Sequence, residues 1–233
     1  EIVIENLAKV YLIRKNFPLA EKYLIKLIQL SKGNVRKIIP LILGYTYEGN
    51  EKQYKKICKL FIKNLTRDSS KFCLNLKKNK LPKISFLSPD IRNHPVGFFI
   101  KDMLPELSKR FEVIIFNTSE FEDEISLYAK KFCQWINVQA KKEYEIADII
   151  YRKKVDVLVD SSGLTRTNNL GVFKLRPSNN QVSWAGWLAS TNLKEMDYVI
   201  SDNFCTPKKD EKFFTEKILR MKNIWCTYSL SVL

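Results

Sequence analysis

The 233 residues contain one histidine, His94, set in a stretch dense in polar side chains, Ser88-Pro89-Asp90-Ile91-Arg92-Asn93-His94-Pro95-Val96-Gly97. Imidazole is the side chain that titrates nearest neutral pH and most often moves a proton. A lone histidine is more commonly a packed or surface residue. This one, however, follows a short apolar run and precedes Pro95 at an expected helix start, where free amides attract anions. Two further stretches concentrate hydroxyls and glycines: Asp160-Ser161-Ser162-Gly163-Leu164-Thr165-Arg166 and Ala185-Gly186-Trp187-Leu188-Ala189-Ser190-Thr191. Gly163 permits a tight turn and the hydroxyls could donate to a ligand, although Ser and Gly are also ordinary loop residues.

Each of these stretches follows a β-branched or aromatic run of strand length. The runs are Ile84–Ser88, Val113–Phe116, Val155–Val159, Gln181–Trp184 and Tyr198–Ile200. Helix-length segments lie between most of them, notably Gly97 to Arg110, Glu122 to Phe132 and Tyr144 to Lys153. Strand alternating with helix predicts an α/β fold with a parallel sheet and helices on its faces. Ligands of such sheets sit at the carboxyl ends of the strands, which is where the polar stretches fall.

Ahead of this region, from Ile2 to Leu65, apolar residues recur at helical spacing and in two similar sets. Leu7, Ala8, Tyr11, Phe17, Ala20, Leu24 and Leu27 are answered by Leu43, Gly44, Tyr47, Tyr54, Ile57 and Phe61. The offset is close to that of a tetratricopeptide-type helix pair. A polar, Lys-rich segment over 66–82 ends at Pro82, which stops any helix. The reading is therefore a tetratricopeptide-like helical block over 1–81 and a Rossmann-like domain over 82–233.

Composition excludes several classes. Apolar residues make up 45% and charged residues 28%, the balance of an ordinary globular protein, and no run is long and apolar enough to span a bilayer. The five cysteines are scattered and odd in number, with no Cys-x-x-Cys pair, so they read as reduced thiols in a cytoplasmic protein without a metal site. No secretion leader is recognised, and the chain reads as a fragment. Net charge is +15; residues 1–81 hold 18 Lys and Arg against 6 Asp and Glu. With 31 Lys and only 9 Arg, a biased composition explains this better than a nucleic-acid groove, which favours bidentate Arg.

The segments Ile84 to Phe99, Val155 to Asp160, Leu175-Arg176-Pro177, Gln181 to Trp187, Met196 to Asp202 and Phe213 to Met221 resemble the amino-terminal catalytic lobe of the O-linked N-acetylglucosamine transferase and SPINDLY-type glycosyltransferases. The resemblance spans roughly residues 82 to 228, and that family places tetratricopeptide repeats just ahead of this lobe. It implies the first lobe of a two-lobed GT-B glycosyltransferase that moves a sugar from a nucleotide donor, UDP-N-acetylglucosamine or GDP-fucose in type, to protein Ser or Thr. No metal and no cofactor are implied, the nucleotide sugar being a substrate. His94 and Asp148 match residues given proton-transfer roles in the family. Asn93, Pro95, Gly163, Thr165, Gly186, Trp187 and Thr191 match its substrate-facing loops. By position alone Asp148 reads equally well as a solvent-facing helix residue.

Two departures bear on activity. The family's Gly-His-Thr or Gly-Tyr-Thr is here Gly163-Leu164-Thr165, and its Gly-Tyr-Pro is Gly186-Trp187-Leu188. The donor lobe of the family would begin beyond Leu233, so this chain alone is expected not to turn over. The alternative from another class is a non-catalytic, protein-binding helical module attached to a degenerate lobe. Neither reading involves a membrane or nucleic acid.

Overall fold

Asn16 and Asn50 each open the second helix of a pair, accepting an amide hydrogen from Leu19 and Gln53 through the side-chain oxygen. The pairs are α1 (Ile2–Ile13) with α2 (Phe17–Leu30), and α3 (Ile39–Glu48) with α4 (Glu51–Lys63). They build the first of two compact units, Glu1–Arg67; the second is Asp68–Leu233. The computed structural model describes residues 1–65, 72 and 80–229. Ala8, Phe17, Ala20, Leu24, Leu27, Tyr54, Ile57 and Phe61 are buried as the periodicity predicts. Leu7, Leu43 and Tyr47 are not: Tyr47 is 84% exposed, and in its helix Ile42 and Tyr45 fill the interior instead. Tyr45 meets Phe17 ring to ring at 5.2 Å, and Gly44 leaves room for that same Phe17 ring.

The boundary expected at Pro82 has a more precise counterpart. Residues 66–71 and 73–79 lie outside the described residues, but Phe72 already belongs to the second unit. Its amide donates to the Leu175 carbonyl, and its ring packs on Tyr144 and Tyr151.

The second unit is a parallel seven-stranded sheet. In chain order its elements are β1 (Lys83–Ser88), α5 (Pro95–Lys101), α6 (Leu104–Ser108), β2 (Glu112–Asn117), α7 (Glu124–Ala129), β3 (Gln134–Asn137), α8 (Glu143–Arg152), β4 (Val157–Asp160), α9 (Leu170–Lys174), β5 (Asn180–Ser183), β6 (Tyr198–Ser201) and β7 (Lys217–Arg220). The lateral order is β3-β2-β1-β4-β5-β6-β7. Succession therefore runs outward from β1 in one direction, then outward from β4 in the other. With right-handed crossovers this reversal puts helices on both faces and opens a crevice between β1 and β4.

Five strands coincide with the runs read from the sequence; β3 and β7 were not read as strands. Both are edge strands of four residues, Gln-Trp-Ile-Asn and Lys-Ile-Leu-Arg, and neither has a fully buried residue. The helix expected over Gly97 to Arg110 is two helices, because Pro105 within the first turn of α6 has no amide hydrogen for a continuous helix. Phe86, Ile91, Val96, Ile100, Leu104, Ile115, Val159, Val182 and Trp184 form a buried core beneath the loops described next.

Candidate functional site

Strand after strand ends on a polar residue. Ser88, Asn117, Asp160, Ser183 and Ser201 close β1, β2, β4, β5 and β6, and every one is buried. Pairing sets Ser88 beside Asn117, Leu87 beside Asp160, and Asp160 beside Ser183. The carboxyl edge of the sheet is thus a polar row laid over an apolar core, and the loops that leave it carry the residues of interest.

The loop after β1 folds back sharply. A Cβ on Gly97 would collide with the Arg92 carbonyl oxygen, so only glycine allows the turn to close. His94, half-buried, is the N-cap of α5; its Nδ1 accepts from the Val96 amide at 3.3 Å. That amide is one of those expected to be open to an anion, and the ring itself satisfies it. An Nδ1 that accepts leaves the hydrogen of the neutral ring on Nε2, so the outer nitrogen is a donor. Asp90, 9% exposed, sits near the imidazole. Burial raises its carboxyl above the usual carboxylate range, opposed by the charges of His94 and Arg92. Asn93 and Pro95 are exposed on either side.

The loops after β4 and β5 interlock. A Cβ on Gly163, whose φ is +55°, would strike the Cβ of Trp187, and one on Gly186 would strike the Ser161 carbonyl. Asp160, fully buried, shapes the first loop by accepting from Ser162 N at 3.1 Å and Gly163 N at 2.9 Å. Burial pushes its carboxyl up to about 6, while the two amide bonds pull the other way. Around it the hydroxyl oxygens of Ser161, Ser162, Thr165 and Ser183 are buried and make no hydrogen bond among the described residues. Buried polar atoms in folded proteins nearly always have partners, so such a cluster marks a place suited to a polar ligand.

Other expected site residues stand elsewhere. Thr191 is fully buried, and both its amide and its hydroxyl donate to Glu216; Ser190 Oγ donates to the same carboxylate at 2.7 Å. Leu164, the first departure from the family pattern, is fully buried, whereas Leu188, the second, is 54% exposed. Asp148 lies midway along α8 and pairs with Arg152 Nε at 2.9 Å on the helix's own surface. Its described contacts join it neither to His94 nor to the glycine loops.

Several supporting residues escaped the sequence reading. Asp123, N-cap of α7, accepts from the Asn93 amide, and Ser126 donates to the Ile91 carbonyl, so α7 fastens the His94 loop. Asp202 accepts from the amides of Cys205, Trp225 and Phe204, which hold its carboxyl below the usual range. Trp184 Nε1 donates to the Trp225 carbonyl, and the Trp225 and Tyr228 rings pack on Phe99 of α5. The segment after β7 thereby braces the helix that His94 caps. Only the polar end of each strand was a readable signal; the long-range hydrogen bonds join residues 23 to 41 apart along the chain, and the ring contacts with Phe99 join residues more than a hundred apart.

Among the described residues no group of three or more His, Cys, Asp and Glu could hold a metal ion, and no helix is long and apolar enough to cross a membrane.

A doubly wound parallel sheet with polar residues at its carboxyl edge and a strand-order reversal between β1 and β4 is a Rossmann-like lobe. Residues 43–228 match glycosyl transferase family 41, and the chain belongs to that family. It is 29% identical over 167 residues to the probable UDP-N-acetylglucosamine–peptide N-acetylglucosaminyltransferase SPINDLY of Arabidopsis thaliana, covering 67% of this chain and 18% of that protein. It is 25% identical over 146 residues to the UDP-N-acetylglucosamine–peptide N-acetylglucosaminyltransferase of Caenorhabditis elegans, covering 60% of this chain and 12% of the relative. A Thermobaculum terrenum O-GlcNAc transferase mutant of known structure shares the fold. It superposes with a TM-score of 0.79 at 20% identity, over 96% of this chain and 44% of that one. The chain spans about a fifth of the length of the SPINDLY relatives it matches.

Proposed function

We propose that this chain is the repeat-adjoining, amino-terminal lobe of a cytoplasmic protein O-glycosyltransferase that transfers N-acetylglucosamine, or a fucose-type sugar, from a nucleotide donor to Ser or Thr of protein acceptors. The observation that carries the reading is the strand-order reversal at β1 and β4, neighbouring parallel strands whose carboxyl ends lead into the His94 loop and into the Gly163 loop that interlocks with the Gly186 loop. The names of the relatives, which specify UDP-N-acetylglucosamine and peptide, support the donor and acceptor classes.

Transfer needs an acceptor hydroxyl, an anomeric carbon with oxocarbenium character and donors for the leaving diphosphate. In this reading His94 contributes as a hydrogen-bond donor through Nε2 rather than as a general base, since Nδ1 is occupied by its own helix. The unpartnered hydroxyls of Ser161, Ser162, Thr165 and Ser183 suit a polyhydroxylated ligand or the water around it. Gly163, Gly186 and Trp187 shape that wall. Asp148 acts through water in this reading, its carboxylate being shared with Arg152.

The lobe alone is proposed to be inactive, since it supplies only one side of a donor cleft. Transfer of radiolabelled sugar to a protein acceptor is expected from the full-length protein and absent from residues 1–233. Transfer by the 233-residue chain would overturn the inactivity, and none from the full-length protein with either donor would overturn the enzyme.

One feature favours a second, non-catalytic role for the helical unit. Leu12, Ile13, Phe17, Leu43 and Tyr47 line a cavity of about 350 Å³, with Lys15 and Glu48 also in its wall. In a unit, Glu1–Arg67, carrying 14 basic against 5 acidic residues it suits an acidic protein segment bearing an apolar anchor. Tyr47→Glu should abolish capture of such a peptide by the isolated chain, and unchanged binding would refute this role.

A further inference from the structure

We propose that Asp123 is a positioning residue for His94, tying the start of α7 to the peptide that precedes the imidazole. The inference deepens the reading of the same site given above.

Asp123 has extended backbone, with φ −142° and ψ −167°, and it opens α7. Its Oδ1 accepts from Ile125 N at 3.0 Å and Ser126 N at 3.2 Å, which is ordinary capping. Its Oδ2 is used differently, accepting from Asn93 N at 2.5 Å across thirty residues of sequence. A carboxylate has acceptor sites enough for both tasks, whereas a serine or threonine cap has a single oxygen. One residue thus starts a helix after β2 and holds the backbone of the loop after β1.

The tie is reinforced. Ser126, also in the first turn of α7, donates through Oγ to the Ile91 carbonyl at 2.9 Å in a buried contact. The loop is therefore gripped at residues 91 and 93 from one helix terminus. His94 follows in extended backbone, with φ −156° and ψ 150°, directed by Pro95 after it. With Nδ1 resting on Val96 N at 3.3 Å, a contact near the outer limit of a hydrogen bond, the ring depends on its backbone for its direction. A shift of the Asn93 peptide would move the imidazole directly. Misplacing a reacting or donating group by about 1 Å costs on the order of a hundredfold in rate.

Asp123→Asn separates this role from capping. Asparagine caps as well as aspartate, but it places an NH2 donor opposite the Asn93 N–H. Because His94 is the only histidine, its ring nitrogens give one assignable pair of ¹⁵N resonances in the 233-residue chain. In the variant these are expected to shift, and exchange of the Asn93 amide hydrogen to accelerate at least tenfold, while α7 amides stay protected. In the full-length protein kcat is expected to fall at least tenfold with donor KM within twofold. Ser126→Ala, which removes the bond to Ile91 and a 3.4 Å contact to Asp123 Oδ1 but leaves the Asn93 bond in place, should show a smaller change in the same direction. Unchanged ring resonances and Asn93 exchange would overturn the tie. Altered resonances with unchanged kcat would overturn the positioning role. A wild-type protein that transfers no sugar would overturn the functional reading instead, leaving the ring resonances to judge the tie.

Discussion

Gly163 and Trp187 occupy one another's space: the glycine turns with φ +55° at the point where the tryptophan Cβ arrives, and a methyl group there would overlap it. Gly186 makes the reciprocal approach to the Ser161 carbonyl. Two loops that leave neighbouring strands are thereby locked face to face through their two glycines, and neither can be repositioned without the other.

Gly163→Ala combines a left-handed backbone penalty with overpacking, and its expected cost is roughly 2–4 kcal/mol. Gly33→Ala, also left-handed but facing open space within 4 Å, should cost only about 1 kcal/mol. Urea titrations of the two variants check the difference; equal losses would mean that the Trp187 contact yields freely.

Asp160 predicts a pH dependence. Its folded carboxyl titrates at about 6, above the ordinary aspartate value near 3.9, so the native state binds the proton more tightly than the unfolded chain. The sign follows: the contribution is fully present below about pH 4 and is lost as pH rises through 6. Its span is on the order of 3 kcal/mol. Relative to Asp160→Asn, the wild type should gain stability as pH falls from 7 to 4. A difference independent of pH, measured by denaturant titration, would remove the explanation.

His94→Asn keeps an oxygen able to cap α5 but removes the imidazole, whereas His94→Ala removes both. Both variants remove the Nε2 donor and should lower transfer by the full-length protein by on the order of a hundredfold, and only the alanine variant should also lose about 1 kcal/mol of stability. Wild-type transfer by His94→Asn would reduce His94 to a helix cap.

Glu216, 6% exposed, gathers Ser190, Thr191 and Thr215 through bonds of 2.5 to 3.2 Å. Glu216→Ala would leave several buried donors without an acceptor, at an expected cost of about 2–4 kcal/mol. Thermal unfolding reads this directly. A variant as stable as wild type would mean that water replaces the carboxylate.

Much of the architecture was legible because it is local. Alternating short apolar runs and helix-length segments gave away β1, β2, β4, β5 and β6, and Pro95 and Gly97 beside His94 marked a helix start. The edge strands β3 and β7 were not legible: with half their side chains in solvent, they lack the apolar run by which central parallel strands announce themselves. Tyr47 was placed inward by analogy with Tyr11, yet helix rotation set by the Phe17–Tyr45 contact turns it out. Thr191 was matched to a substrate-facing loop; its side chain instead anchors to Glu216, a partner 25 residues on that nothing in its own neighbourhood marks.

The sequence by itself determined the five central strands and the turns that follow them, and it placed the polar side chains at strand ends, since backbone preference and hydrophobic period act over a few residues. Tertiary structure alone decided that β1 lies beside β4, that Gly163 meets Trp187, and that Asp123 reaches Asn93. Those contacts join residues 24 to 73 positions apart. Their formation is governed by how whole layers pack and exclude water, a property of the assembled sheet that no single segment carries.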